Sequence, residues 1–412
     1  MIDFERFTLT NGLRVLVNSD LRSPLVSMCI IYDVGARDED EQHTGYAHLF
    51  EHLMFGGSVN IPNYDEAIQR AGGSNNAYTS NDLTCYYCTL PALNVETAFW
   101  LESDRMLSLA FTPKSLEVQR SVVIEEFKEN YLNAPYGDLY HLASALNYRV
   151  HPYRWPTIGL NIEQIAAAQM DYIRSFFHAH YFPANAILVL SGGISLAQAR
   201  SLCDKWFAPI PSPEKGERHL PQEPPRTAYE RQTVVRDVPA DLLYMSFPMV
   251  GRRDKEYVLY DLLSDVLGLG RGARLKTELV RKKRVFASLD ASVDGSLDPG
   301  TLSIVGTLSE GVTLEMAEEA VWEELGRLRK IPCEELCRVR GIFETDALYG
   351  ELLSSQRAEL LAQYELLGDA QWVNRRVAER EAVTCSALEA CADATFRPEL
   401  ARVLYYQAQT EA

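Results

Sequence analysis

The sequence predicts an α+β fold of two homologous halves, each a mainly antiparallel sheet flanked by helices. Three observations lead to this prediction. Strand-like segments with alternating apolar residues are interspersed with helical segments along all 412 residues, a length too great for one ordinary core. A segment rich in proline and charge, residues 209–227, divides the chain almost equally. The segments after it repeat the order of those before it, which indicates an internal repeat.

The first half begins with a predicted hairpin. Apolar residues alternate over residues 6–18, and Asn11-Gly12 supplies a two-residue turn. A strongly apolar run over residues 25–33 predicts a strand. Thr112-Pro113 marks a helix start, because proline is tolerated in the first helical turn. The other predicted elements of this half are helices within 45–55, 64–70, 94–109, 114–130, 138–147, 164–177 and 196–206, and strands at 83–90 and 186–193.

The second half follows the proline-rich segment. We expect an N-terminal domain at 1–210, a linker at 211–227 and a homologous C-terminal domain at 228–412. The predicted strands of the second half are 231–238, 242–247, 286–293, 301–308 and 403–406. Its predicted helices are 255–267, 273–284, 312–329, 333–365, 370–378 and 385–395.

The composition of the chain indicates which binding partners and which cellular compartment to expect. The chain has 40 basic and 57 acidic residues, a net charge of −17, which argues against nucleic acid and anionic membranes as partners. No apolar run is long enough to span a membrane, and residues 1–6 carry no signal-peptide pattern. Eight scattered cysteines fit reduced thiols in a cytoplasm. Cys333 and Cys337, one helical turn apart, are expected to be buried apolar thiols.

One short motif carries the chemistry. His48 and His52 are four residues apart and Glu51 lies between them, within Gly45 to Phe55, which has no proline. Positions i and i+4 share one face of a helix, so both imidazoles can reach one metal ion, with the carboxylate on nearly the same side. Such a set is suited to a hydrolytic zinc site. The alternative is two histidines that lie near a glutamate without a metal.

A glycine-rich run, Gly72-Gly73-Ser74-Asn75-Asn76-Ala77-Tyr78-Thr79, leads into a strand. Small residues let another backbone approach closely, so a peptide could add to this strand. A simple turn followed by a strand is the alternative interpretation.

These motifs resemble the inverted-zincin metallopeptidase family of pitrilysin, insulysin and mitochondrial processing peptidase. The shared features are His48-x-x-Glu51-His52, the glycine-rich run, Tyr86-Tyr87, and the block from Gln119 to Glu126. The resemblance spans both halves and implies a two-domain subunit that forms half of a clamshell. It also implies one Zn2+ per subunit.

The resemblance assigns roles to individual residues. His48, His52 and a glutamate on a later helix would bind zinc. That glutamate is Glu126, with Glu125 and Glu129 as competitors; Gln119 and Glu126 lie seven residues apart on one helix face. Glu51 would be the general base. Asn76, Ala77 and Tyr78 would hold the peptide substrate.

The resemblance also reveals two departures. Many members have a glutamate where this chain has Gln119. Active members use an arginine and a tyrosine, seven residues apart, to hold substrate; Arg281 is present here, but Ser288 occupies the tyrosine position. We therefore expect a zinc endopeptidase subunit that acts on peptides or unfolded segments in an enclosed chamber. A homologous partner would supply the Arg/Tyr pair, with a homodimer as the second choice. A non-catalytic structural or binding subunit, or a zinc hydrolase for a non-peptide amide, is the alternative.

Overall fold

The computed structural model describes residues 1–409. The strands within that range are β1 (Glu5–Thr8), β2 (Arg14–Ser19), β3 (Leu25–Tyr32), β4 (Ser74–Thr79), β5 (Thr84–Pro91), β6 (Ala186–Gly192), β7 (Glu230–Arg236), β8 (Leu242–Pro248), β9 (Phe286–Val293), β10 (Thr301–Leu308) and β11 (Arg402–Ala408). They form two sheets.

Fourteen α-helices of the described range surround these sheets. They are α1 (Tyr46–Phe55), α2 (Tyr64–Arg70), α3 (Val95–Leu107), α4 (Pro113–Phe127), α5 (Leu139–Asn147), α6 (Ile162–Ala166), α7 (Met170–His180), α8 (Leu196–Trp206), α9 (Tyr257–Gly268), α10 (Leu314–Gly326), α11 (Cys333–Gly350), α12 (Ser354–Leu367), α13 (Arg376–Ala382) and α14 (Cys385–Thr395). Two π-helical segments occur at Lys128–Leu132 and Lys276–Lys282. Over residues 1–409, every helix is too short or too polar to span a bilayer.

The chain divides into two compact units. Unit 1 comprises Met1–Asn133, Val150–Gln222 and Leu348–Asn374; unit 2 comprises Ala134–Arg149, Glu223–Ala347 and Arg375–Ala412. Each unit contains one of the two sheets. Each also has its own cluster of buried apolar residues.

The sheet of unit 1 has the strand order β1-β2-β6-β3-β5-β4. All neighbours are antiparallel except β2 and β6. The predicted hairpin is confirmed, since β1 pairs with β2 and Phe7 lies opposite Val15. Its connection is longer than Asn11-Gly12 alone, because residues 9–13 separate the two strands. Strand β3 is mostly apolar because both of its faces are covered. Met28 and Ile30 lie in the core, whereas Ser27 on the other face contacts Ser354 of α12.

The sheet of unit 2 has the strand order β7-β11-β8-β10-β9. Its single parallel pair is β7 and β11. If the five strands are numbered by their position in the chain, their order across this sheet is first, fifth, second, fourth and third. The strands β2-β6-β3-β5-β4 of unit 1 have the same order. The predicted fold class, α+β with two homologous halves and mainly antiparallel sheets, is therefore confirmed.

One helix from each half of the sequence belongs to the unit that is formed mainly by the other half. Helix α12 belongs to unit 1, where Gln363 Nε2 donates to the Tyr78 hydroxyl at 3.0 Å. Helix α5 belongs to unit 2, where Asn147 Nδ2 donates to the Tyr244 hydroxyl at 2.7 Å. The units therefore do not follow the chain continuously. The boundaries at 1–210, 211–227 and 228–412 stay a prediction.

The proline-rich segment is anchored to unit 1 as far as Gln222. Lys215 Nζ lies 2.5 Å from Asp33 Oδ2, and Arg218 lies 3.0 Å from Asp33 Oδ1 and 2.6 Å from Asp38 Oδ1. Both aspartates are largely buried, which makes these ion pairs less screened than those of an open surface. The segment is thus held by charge rather than by regular structure.

The structure differs from the sequence-based expectations at two helices and at one pair of cysteines. The helix expected over 333–365 is interrupted after Gly350, and Leu353 adopts an extended backbone before α12 begins. The helix expected over 164–177 is likewise two helices, α6 and α7. The expectation of buried thiols at Cys333 and Cys337 is wrong, because both side chains are exposed.

Candidate metal centre

Helix α1 presents a polar stripe on an otherwise buried surface. Its buried residues are Tyr46, Ala47, Leu49, Phe50, Leu53 and Met54. The residues that remain partly accessible are His48, Glu51, His52 and Phe55, spaced at i, i+3, i+4 and i+7. The helix ends at Gly56, as the sequence predicts. Packing of the apolar face therefore turns both imidazoles and the carboxylate outward together.

A buried glutamate caps the beginning of this helix. Glu39 Oε2 accepts from the Gly45 N–H at 2.9 Å, and Oε1 accepts from the Ala47 N–H at 2.6 Å. Gly45 has φ of +82°, a backbone conformation that favours glycine. Burial raises the pKa of Glu39 well above its usual range, and the two N–H groups oppose that shift. Sequence reasoning missed this residue because it lies in a loop with no periodic pattern.

Glu126 reaches the two histidines from α4. Its Oε2 lies 3.4 Å from His52 Nε2 and 3.7 Å from His48 Nε2. Glu125 pairs instead with Lys128 at 2.7 Å, and Glu129 is exposed. The structure therefore brings Glu126, rather than either competitor, beside the histidines.

The donor set suits a zinc ion. In a tetrahedral site with bonds of about 2.0–2.1 Å, ligand atoms lie about 3.4 Å apart. The separations of 3.4 and 3.7 Å from Glu126 Oε2 are close to that spacing. Within residues 1–409, His48, His52 and Glu126 are the one group of three or more potential ligands whose atoms all lie within 4.8 Å of one another.

His48 supports the same interpretation. Its Nδ1 is buried without a hydrogen-bond partner in the described chain, and its Nε2 is beyond hydrogen-bond distance of Glu126 at 3.7 Å. A largely buried imidazole without hydrogen bonds is unfavourable unless another ligand satisfies it. A metal ion would satisfy Nε2, whereas Nδ1 would still need a hydrogen-bond acceptor.

The electrostatics favour the ligand forms of these side chains. Burial, together with the neighbouring His52, lowers the pKa of His48 to about 4, so its ring is neutral at pH 7. Contact with His52 lowers the pKa of Glu126, which keeps that carboxylate ionised. Neutral imidazole and ionised carboxylate are the forms that bind zinc.

Glu51 lies on the same stripe but is not among the ligand group. Its Oε2 accepts a hydrogen bond from the Thr79 hydroxyl at 2.6 Å. Burial raises the pKa of Glu51, and the Thr79 hydrogen bond opposes the shift. A carboxylate with a raised pKa is a stronger base than an exposed one. Thr79 ends the glycine-rich run, and only the fold shows that it contacts Glu51.

The predicted substrate strand is β4, the edge strand of the sheet in unit 1. Asn76 lies opposite Tyr87, Ala77 opposite Tyr86 and Tyr78 opposite Cys85. No strand of the described chain pairs with the other edge of β4. An open edge can accept an extended peptide as a further strand. Because Thr79 also belongs to β4, this edge is tied directly to Glu51.

The remaining predicted residues lie outside the ligand group. Gln119 lies beside the end of α1: a Cβ atom built at Gly56 would be 3.9 Å from Gln119 Nε2. In unit 2, exposed Arg281 donates to Thr277 Oγ1 at 2.6 Å. Ser288 lies on β9, where its hydroxyl is 2.8 Å from Thr307 Oγ1.

Comparison with known proteins identifies the family. Residues 14–152 match the family model described as insulinase (peptidase family M16), and residues 167–340 match the model described as the peptidase M16 inactive domain. The zinc protease PqqE of Helicobacter pylori is 28% identical over 375 residues, which cover 89% of this chain and 84% of that protein.

Solved structures share the fold. The crystal structure of a protease from Helicobacter pylori matches with a TM-score of 0.92 at 26% identity, over 98% of this chain and 99% of that chain. Pitrilysin matches in fold with a TM-score of 0.79 at 20% identity, over 98% of this chain but 45% of pitrilysin. The resemblance drawn from the motifs is therefore confirmed, and the chain belongs to the insulinase family of zinc proteases, peptidase family M16.

Proposed function

We propose that this chain is the zinc-bearing subunit of an endopeptidase that hydrolyses peptides or unfolded segments within an enclosed chamber. The observation that carries the proposal is the convergence of His48, His52 and Glu126, with Glu51 on the same helical stripe. One Zn2+ would be held by the two Nε2 atoms and the Glu126 carboxylate. A decayed site would be expected to lack one of these four side chains.

The residues divide the reaction between them. When bound, zinc supplies Lewis acidity that acidifies water and polarises a carbonyl group. Glu51 accepts the proton of the attacking water and then donates it to the nitrogen of the leaving amine. The Thr79 hydroxyl orients Glu51 through the hydrogen bond to Oε2. The open edge of β4 would hold the substrate extended by backbone hydrogen bonds, which favours peptides over other amides.

The experiment compares peptide cleavage by the wild type and Glu51→Gln. Both proteins are loaded with zinc and their metal content is measured. Each is then assayed together with the homologous partner chain on an unfolded protein substrate, under conditions in which the wild type is active. Glu51→Gln should retain zinc and lose turnover by about 10²- to 10⁴-fold, the usual contribution of a general base. Glu129→Gln, an exposed carboxylate on the segment after α4, serves as the matched control. Equal turnover by Glu51→Gln and wild type would exclude the base role.

A homologous partner is the second element of the proposal. Pitrilysin is more than twice as long as the part of it that this chain matches, which fits a catalytic unit made of two such chains. Ser288 bonds to Thr307 and lacks the reach of a phenol, so the partner would supply an Arg/Tyr pair. A heterodimer is favoured over a homodimer, and a cytoplasmic location stays a prediction.

The partner is tested by assaying the purified chain alone and with a homologous chain that has the Arg/Tyr pair but not the histidine motif. Activity should require both chains. Full proteolysis by the isolated chain, with Ser288→Ala without effect, would contradict the heterodimer.

A non-catalytic structural or binding subunit is the second candidate. The match of residues 167–340 to an inactive-domain model favours it. The two candidates differ in one result. A non-catalytic subunit would give the same peptide turnover with Glu51→Gln as with wild type, in every combination of partner chains.

A further inference from the structure

Two cysteines far apart in sequence meet in unit 2. Cys333 is the first residue of α11 and Cys385 is the first residue of α14. Their Sγ atoms are 3.1 Å apart, although 52 residues separate them. Cys333 is exposed and Cys385 is partly exposed, so oxidants in solution can reach the pair. A covalent S–S bond is about 2.05 Å long, so the sulfurs need to approach by only about 1 Å.

A metal site does not explain this pair. Within residues 1–409, one group of three or more potential metal ligands lies close together, and it contains neither cysteine. Cys337, one turn along α11, is exposed and has no contact with another thiol in the described chain. Two thiols without a third ligand are suited to disulfide formation rather than to zinc binding.

We propose that Cys333 and Cys385 are a reversible thiol-oxidation site that closes to a disulfide on reaction with a peroxide. The Cys333 thiolate attacks one peroxide oxygen, the O–O bond breaks, and Cys333 becomes a sulfenic acid as hydroxide leaves. The Cys385 sulfur then displaces the hydroxyl from Cys333 and loses its proton, which gives the disulfide and water. Two thiols and one hydrogen peroxide thus give one disulfide and two waters, and a dithiol reductant reverses the reaction.

The order of these steps follows from the site. Cys333 is exposed whereas Cys385 is only partly exposed, so a peroxide in solution reaches the Cys333 sulfur first. The Cys385 sulfur, 3.1 Å away, is then in place to attack the sulfenic acid.

A second cysteine contact in the protein provides an internal comparison. Cys29 and Cys85 in unit 1 have Sγ atoms 3.4 Å apart, but both side chains are completely buried. Burial excludes the oxidant. The contact with Cys85, together with burial, raises the pKa of Cys29 well above its usual range. The pair Cys29 and Cys85 should therefore stay reduced under conditions that oxidise Cys333 and Cys385.

The two cysteines lie on either side of a chain segment that packs in unit 1. Between Cys333 and Cys385 the chain leaves unit 2 and returns to it, because Leu348–Asn374 belongs to unit 1. Oxidation would tie the first turn of α11 to the first turn of α14 in unit 2. It would therefore close a covalent loop that contains the whole excursion, and we expect the oxidised protein to resist thermal unfolding more than the reduced protein.

The test uses the reduced full-length chain, treated with one equivalent of hydrogen peroxide and then alkylated. Intact mass and peptide mapping are measured for wild type, Cys333→Ser, Cys385→Ser and the matched control Cys337→Ser. Before alkylation, wild type and Cys337→Ser should lose about 2 Da, and after alkylation both should give a peptide linked through Cys333 and Cys385. The other two variants should give no such link.

Two results would overturn the proposal. One is a wild-type map in which Cys333 and Cys385 are both alkylated or carry only oxygen additions. The other is a link that contains Cys337, Cys29 or Cys85 in place of the pair. The wild-type map decides the question even if a serine variant fails to fold.

Discussion

Removal of the carboxylate at Glu39 should loosen the metal-binding helix without touching the metal ligands. Glu39 accepts the N–H groups of Gly45 and Ala47, at 2.9 and 2.6 Å, inside the protein. Each buried N–H left without an acceptor costs about 1–3 kcal/mol. Glu39→Ala leaves both unsatisfied, so it should lower the free energy of unfolding by about 2–6 kcal/mol. Glu39→Gln keeps one acceptor oxygen and should lower it by about 1–3 kcal/mol.

The assay is denaturant unfolding combined with zinc titration of each folded variant. Because Ala47 directly precedes His48, a frayed first turn should also weaken zinc binding. Glu41→Gln is the matched control. Glu41 lies two residues after Glu39 and is an exposed ion-pair partner of Arg154, so loss of its charge should change the free energy of unfolding by less than about 1 kcal/mol. Equal stability and zinc affinity for Glu39→Gln, Glu39→Ala and wild type would refute the capping role.

Three further predictions concern the same unit. Thr79→Val removes the hydrogen bond to Glu51 and should lower peptide turnover several-fold, with a stability loss below about 1.5 kcal/mol in a melting assay. Burial acts to raise the pKa of Asp33, but Arg218 and Lys215 outweigh burial and lower that pKa to about 2. Asp33→Asn should therefore lower the free energy of unfolding by about 2 kcal/mol at pH 7. Zinc added to the metal-free protein should raise the melting temperature, because His48, His52 and Glu126 are brought together by folding.

The pH dependence of the Asp33 effect follows from the direction of the shift. The pKa of Asp33 is lower in the folded chain than in the unfolded chain, so the stabilisation is complete above about pH 4 and disappears as the pH falls toward 2. Urea unfolding at pH 7 and at pH 3 measures it. An identical difference between wild type and Asp33→Asn at both pH values would contradict the ion-pair interpretation.

The control variant for the zinc experiment is Val59→Ala, which changes an exposed residue rather than a ligand of the site.

Local patterns predicted much of the fold and the core of the site. The positions of β9 and β10 agree with the sequence-based strands, because short apolar runs between turns suffice to define them. The helical period placed His48, Glu51 and His52 on one stripe, and the structure keeps that stripe accessible while it buries the rest of α1.

Long-range contacts could not be predicted in this way. The placement of α12 on the first sheet depends on packing between residues more than 300 positions apart, such as Ser27 and Ser354. The cap by Glu39 depends on the path of a loop, and the meeting of Cys333 with Cys385 depends on how two helices pack. Periodicity reports which face of an element is apolar, but not which partner covers that face.

Zinc content after dialysis tests the central claim most directly. Wild type, Glu126→Ala and Glu129→Ala are loaded with zinc, dialysed against the same buffer and measured by elemental analysis. Glu129 is exposed and outside the ligand group, so its variant is the matched control. We predict one zinc ion per chain for wild type and Glu129→Ala, and loss of most of the zinc from Glu126→Ala. Equal zinc retention by Glu126→Ala, or no zinc in the wild type, would contradict the proposed metal site.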